Sequence, residues 1–257
     1  MKKLILLLLF LPLMAVANGI DDKCPKNTLW GAPSTPEVDV TYLCRMAYAV
    51  GYSNTRKTPV YVVEHVIKAH LKANVSRTDN FRPDPELDAK YRSELKDYEG
   101  SNYDRGHLAP AGDFVYSKQA MSESFLLSNM MPQDKSNNRG IWKHTEELQR
   151  NAALKLGEVY VISGTIYTHS SPLMMGTVGV PNAMYKIIVD PINHKVIAFI
   201  FPNKEIPESD LPKYVSSVKN IEDVTGIKFF PNIPQSLQHL KTDQGNLVMW
   251  LAKGPVD

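Results

Sequence analysis

Along the 257-residue chain the spacing of hydrophobic and polar positions changes several times, and each change marks an element. Val40–Val50 and Pro59–Val66 carry Tyr and Val densely enough for two strands, joined by the turn-forming Ser53-Asn54-Thr55. Residues 74–103 are polar and contain Pro83, Pro85 and Gly100. A loop of that length usually carries function. Ala120, Met121, Phe125 and Leu126 give Ser117–Ser128 a helical apolar side, and Asn138–Lys155, with Leu148, Ala152 and Leu154, predicts the longest helix. Glu158–Ile166 reads as a buried strand, and Ala183–Val189 with Val196–Phe201 as a hairpin around Pro191-Ile192-Asn193. Ser209–Asn220 predicts a helix capped by Ser209, with Leu211, Tyr214, Val215 and Val218 at helical spacing. Strands and helices mix without regular alternation, which predicts an α+β fold: a central, mostly antiparallel sheet with flanking helices. No linker interrupts residues 40–250, so 40–257 reads as one domain and 18–39, rich in Pro, Gly and Asn, as an N-terminal extension.

Composition adds little to this picture at first. Hydrophobic content of 43% and charged content of 22% exclude a disordered chain. The N-terminus is more informative. Lys2 and Lys3 precede the apolar run Leu4–Met14 and the small-x-small site Ala15-Val16-Ala17. That pattern predicts a cleaved signal peptide over residues 1–17, since the run falls short of the roughly 20 residues that span a bilayer. No later segment is long and apolar enough to span. The expected destination is therefore secreted or periplasmic. In that setting Cys24 and Cys44 are expected to form a disulfide. Removing Lys2 and Lys3 takes the formal charge from +2 to zero, so any attraction to polyanions must come from a local cluster.

The chemistry concentrates in Tyr103-Asp104-Arg105-Gly106-His107 and, thirty-one residues after the histidine, in Asn138-Arg139-Gly140-Ile141-Trp142, with Glu146 and Arg150 further along. Hydrolysis of a phosphodiester needs a base for water near neutral pH, which suits imidazole. It also needs positive charge on the phosphoryl oxygens, from Arg or a divalent cation. Mg²⁺ takes oxygen ligands and keeps several waters, so a single Asn carbonyl is an adequate protein ligand. Singly, each residue has a plainer explanation: Asn138 as a helix cap, Glu146 and Arg150 as an i,i+4 ion pair.

Together they carry a family resemblance. Asp104-Arg105-Gly106-His107 resembles the signature of the DNA/RNA non-specific endonucleases, a family with a ββα-metal active site. Ser128-Asn129-Met130-Met131-Pro132-Gln133, Asn137–Trp142 and Glu146–Arg150 follow its second block, and weaker similarity runs from Val40 to Ala252. The resemblance implies His107 as general base and Asn138 as the protein ligand of hydrated Mg²⁺, with Mn²⁺ as a substitute. It implies Glu146 as acceptor for a metal-bound water, and Arg105 and Arg150 near the phosphate. Asn129 is implied to brace the site and contact substrate, Arg139 to contact substrate, and Asp104 to support the histidine strand. Asp79-Asn80-Phe81-Arg82-Pro83-Asp84 resembles the segment bearing an upstream phosphate-binding arginine, and Arg82 is chosen there over Arg77. On one continuous helix Asn138 and Glu146 would lie about 80° apart.

All these residues address phosphate, water or metal, and phosphate contacts position nucleic acid without reading its bases. DNA and RNA are thus the expected substrates, cut with little sequence preference. Lys118, Lys135, Arg139 and Lys143 would form a positive rim. The rival readings are an inactive nucleic-acid-binding protein and a phosphodiesterase for small substrates.

Overall fold

The computed structural model describes Ile20, residues 24–168 and residues 173–251. The leader read over residues 1–17 lies outside the described residues. The core is a seven-stranded sheet built from β1 (Val40–Cys44), β2 (Tyr48–Ser53), β3 (Thr58–Ile67), β6 (Glu158–Ile166), β9 (Ala183–Asp190), β10 (Lys195–Pro202) and β11 (Val215–Ser216). They lie in that order and every neighbouring pair is antiparallel, while β7 (Met174–Met175) and β8 (Val178–Gly179) pair with each other outside it. The expected α+β class is what the chain adopts.

The sheet is covered on both faces because its strands alternate two apolar sets. In β9, Met184 and Ile188 turn to one side, and Tyr185, Ile187 and Val189 to the other. On the first side lies the long helix Lys143–Leu156, burying Leu148, Ala152 and Ala153. On the second lie the helix Val218–Thr225, through Val218 and Ile221, and the aromatic pair Phe229 and Phe230. Cys24 and Cys44 are joined in a disulfide, with Cα atoms 5.6 Å apart. The segment from Leu29 to Ala32 packs on that same second face, and Ser34 exchanges backbone hydrogen bonds with Lys228. Among the described residues no helix is long and apolar enough to cross a membrane.

Three elements depart from the sequence reading. The strand expected over Val40–Val50 is a hairpin of β1 and β2. Arg45 sits at the turn, and its side chain is drawn into a buried ion pair with Asp84 and also pairs with the exposed Glu86. The helix expected over Ser209–Asn220 is a 3₁₀ segment Glu208–Tyr214, then β11, then Val218–Thr225. Pro212 has no N–H to extend an α-helix, and Ser217, not Ser209, caps the helix by accepting from the Asn220 amide at 3.1 Å. The long helix begins only at Lys143. Residues Asn138–Trp142 form a π-type turn in which Gly140 has non-helical φ −107° and ψ −109°. The angle expected between Asn138 and Glu146 on one straight helix therefore does not apply.

Candidate active site

A two-stranded ribbon stands apart from the sheet: β4 (Tyr103–His107) pairs antiparallel with β5 (Met130–Asp134), setting His107 opposite Met130 and Asp104 opposite Gln133. The π-type turn and the long helix follow β5 directly, giving a ββα unit. Glycine is required at position 106 by close approach. A Cβ there would lie 2.0 Å from Gln133 Oε1, and Gln133 is itself buried and donates to Asn137 Oδ1 at 3.0 Å.

Asp104 ties ribbon to helix. Its Oδ2 accepts from Asn138 Nδ2 at 2.9 Å, and its two oxygens accept from Arg139 at 2.9 Å each. A carboxylate only accepts, so the amide's NH₂ must be the end facing Asp104. The Asn138 carbonyl oxygen is left free for another partner. One turn on, Trp142 Nε1 donates to the His107 carbonyl at 3.0 Å. The two elements carrying the proposed base and the proposed metal ligand are thus stitched together at both ends.

His107 is 9% exposed, and its Nε2 is buried with no hydrogen-bond partner. Its pKa is pushed down to about 3, first by desolvation and then by the charges of Arg77 and Arg105. Its ring lies 5.7 Å from Phe81 and 5.1 Å, edge-on, from Phe125. The Arg105 guanidinium sits 4.3 Å from the Phe81 centroid and that of Arg77 sits 4.7 Å from Phe125. Glu146, half-buried, is pushed up to about 7, first by desolvation. Lys186, Arg150 and Arg77 pull it back and Asp113 adds to the rise. Arg77 therefore acts on both the proposed base and the proposed water-orienting carboxylate. Arg150 Nη1 donates to the buried Asp113 at 2.9 Å.

Beneath the site lies a buried polar cluster. Lys186 Nζ donates to Gln149 Oε1 at 2.7 Å and Ser163 Oγ at 3.1 Å, and it sits 4.5 Å from the Trp142 ring centroid. Gln149 in turn donates to Glu64 and Asp113. Burial and the nearby Asp113 hold the Glu64 carboxyl well above its ordinary range.

Several sequence-predicted residues fall elsewhere than expected. Asn129 is wholly buried. Its Oδ1 accepts from the Ala109 amide at 3.0 Å, and its Nδ2 donates to the Ala109 and Ser124 carbonyls at 2.8 and 2.9 Å. It braces the chain beyond His107 and has no free group for substrate, which corrects its reading as a substrate contact. Arg82 points away from the base: its Nη1 donates to the Ser122 and Asn80 carbonyls at 2.8 and 3.2 Å. Arg77, passed over in the sequence, is the upstream arginine beside His107. Phe125 reads in the sequence only as an apolar helix position and Phe81 only as part of the arginine-bearing segment, and Lys186 and Gln149 went unremarked. Arg139 is 69% exposed on its Asp104 anchor. Lys118, Lys135 and Lys143 are exposed, Lys143 with Glu147 at 3.8 Å.

The donor set fits a hydrated divalent cation. Asn138, in the π-type turn, offers one oriented carbonyl oxygen, and Glu146 lies on the helix that follows. Among the described residues no group of three or more His, Cys, Asp or Glu forms an all-protein cage. A cation here would keep most of its waters, as Mg²⁺ prefers.

Comparison with known proteins places this geometry. The model of the DNA/RNA non-specific endonucleases matches residues 30–236, beginning inside the segment read as an extension. The chain belongs to that family. Human mitochondrial nuclease EXOG is 31% identical over 214 residues, 75% of this chain and 58% of that protein. The Xenopus laevis protein of the same name is 32% identical over 72% of this chain and 57% of its own length. The chain thus spans somewhat over half of these relatives. A nuclease of Nostoc sp. is 34% identical, covering 82% of this chain and 81% of its own. A crystal structure of the EndoG/EndoGI complex superposes with a TM-score of 0.75 at 28% identity, over 84% of this chain and 94% of that one. These relatives correct the expected destination. The frog, human, mouse and yeast proteins are all named mitochondrial nucleases, against a secreted or periplasmic destination, and a bacterial nuclease is also among the relatives.

Proposed function

We propose that this chain is a metal-dependent endonuclease that hydrolyses phosphodiester bonds of DNA and RNA with little sequence preference. The observation that carries the reading is a buried imidazole flanked by two guanidinia and stitched, through Asp104 and Trp142, to an asparagine whose carbonyl oxygen has no partner among the described residues.

The chemistry follows from the residues. The Arg105 and Arg77 guanidinia stand where they can bind the scissile phosphate and neutralise its growing charge. His107 is uncharged at neutral pH and takes a proton from the attacking water. Anionic phosphate entering beside the ring raises its proton affinity as the reaction proceeds. Asn138 would hold Mg²⁺, or Mn²⁺ in its place, which supplies positive charge beside the 3′ leaving oxygen. Glu146 would accept a hydrogen bond from a water of such a cation, and Arg150, held by Asp113, completes the positive wall. These residues address phosphate, water and metal, in keeping with backbone recognition.

The test is incubation of the protein with supercoiled plasmid and with a structured RNA, in Mg²⁺ and in EDTA. Both substrates should be cut in Mg²⁺ and neither in EDTA, and Asn138→Ala should need far more Mg²⁺ for half-maximal rate. Cleavage that persists undiminished in EDTA would overturn the metal dependence. Binding without shortening would leave an inactive nucleic-acid-binding protein.

A further inference from the structure

We propose that Phe81 and Phe125 are positioning residues: together they form an aromatic clamp against one side of the His107 ring and are the shelves on which Arg105 and Arg77 are aimed at the phosphate. The proposal rests on the nuclease reading only for its kinetic consequences, because the clamp itself is geometric.

Three rings meet pairwise. Phe81 and Phe125 are 4.9 Å apart and nearly perpendicular (89°), and His107 touches both, at 59° to Phe81 and 89° to Phe125. Such edge-to-face contacts fix a ring's tilt as well as its place. The imidazole Nε2 is buried and has no hydrogen-bond partner among the described residues to orient it. Aromatic contact takes the place of the hydrogen-bonded carboxylate that orients many catalytic histidines.

Each phenyl ring also carries a cation on its outer face. A guanidinium lying over a ring is attracted by the ring's quadrupole and keeps its N–H edge available for a planar bidentate partner. Arg105 has no carboxylate partner among the described residues, so the Phe81 ring is what holds it. Arg77 has Asp79 at 2.7 Å besides Phe125. The same two rings thus set the base and the two cations relative to each other.

The clamp is assembled from three separate segments, and backbone hydrogen bonds fix its register. The Arg82 amide donates to the Phe125 carbonyl at 3.3 Å, and the Leu127 amide to the Arg82 carbonyl at 2.9 Å. With its guanidinium on the Ser122 carbonyl, Arg82 pins the loop to the end of the helix Lys118–Glu123. Arg82 serves the site by holding its neighbour Phe81 in place, without reaching the phosphate. The charged groups that face His107 are Arg105 from its own strand and Arg77 from the loop; the segment bearing Phe125 brings only the ring.

The experiment uses Phe81→Leu, which keeps an apolar residue at a half-buried position, with Phe81→Tyr as the conservative variant. His107 is followed by ¹H–¹³C NMR titration in the metal-free protein, its signal assigned by its loss in His107→Gln. The melting temperature is recorded alongside. Opening the clamp admits water to the ring and frees Arg105, and both effects raise the histidine's midpoint, by about one unit or more. In plasmid cleavage Phe81→Leu should raise KM about five- to tenfold through loss of the cation shelf. Phe81→Tyr should restore both readouts. An unchanged His107 titration and unchanged KM in Phe81→Leu, with only the melting temperature lowered, would make the phenylalanine packing alone and overturn the proposal. The titration needs no activity. A shifted midpoint in a protein that cuts nothing would uphold the clamp and refute the nuclease reading; cleavage with an unmoved midpoint and unmoved KM would do the reverse.

Discussion

Replacing Gly106 by alanine adds one methyl group at a place where the fold has no room for it. The new carbon would lie 2.0 Å from Gln133 Oε1, 2.7 Å from its Cβ and 2.9 Å from its Cδ, whereas ordinary contact begins at 3.4 Å. The worst contact must open by 1.4 Å. Gln133 cannot simply swing aside: it is buried, and its amide donates to Asn137, which is itself fixed to the carbonyls of Pro202 and Lys204 at 3.2 and 2.8 Å. Much of the movement therefore falls on β4, one residue from His107. Overpacking of this kind costs about 1–3 kcal/mol, a fall in Tm of roughly 2–12 °C for a domain of this size. A misplacement of about 1 Å at a catalytic group costs on the order of 10²-fold in rate. The assay is kcat/KM on a fluorogenic oligonucleotide, with Tm from circular dichroism. Gly106→Ala should lose far more rate than stability. Adding Gln133→Ala, which removes the Oε1 and Cδ contacts, should return part of it. A Gly106→Ala protein with wild-type kcat/KM and unchanged Tm would refute the reasoning.

Two further predictions concern the charges behind the site. Glu146 titrates near 7 when folded against an ordinary 4.5, so the folded protein holds this proton more tightly than the unfolded chain. The stability it contributes is present below about 4.5 and is lost as pH rises through 7; in chelator, the Tm gap between wild type and Glu146→Gln should open in favour of the variant across that window, and a constant gap would rule the shift out. Lys186→Met leaves Glu64 buried without its nearby cation, while Asp113 keeps Arg150, and urea denaturation should show a loss of about 3–5 kcal/mol. Adding Glu64→Gln should recover part of the loss, whereas full stability in the single variant would mean that the cluster is not held by charge.

What could be read from the sequence follows physical lines. β9 and β10 are legible because a buried two-sided strand declares itself in nearly every residue, and the ββα unit because its residues sit within one local stretch. The β1–β2 turn was hidden because no Gly or Pro marks it: Arg45 makes it, through Asp84, a residue thirty-nine positions away. Nothing in the sequence sets Lys186 apart, because the partners of its buried ammonium, Gln149 and Ser163, come from other elements. Arg77 and Arg82 are equivalent as letters. What separates them is which backbone pairs with Phe125, a fact of tertiary structure. The π-type turn at Gly140 escaped because helical periodicity runs on through it, yet such turns often mark functional sites.

The account stands or falls on His107 acting as the base. The most direct measurement is single-turnover cleavage of one supercoiled plasmid by wild type and by a folded His107→Ala variant, both at saturating Mg²⁺. A rate lower by about 10²-fold or more in the variant, with DNA still bound, is what base catalysis requires. Equal rates would place the proton transfer on another group and undo the mechanism.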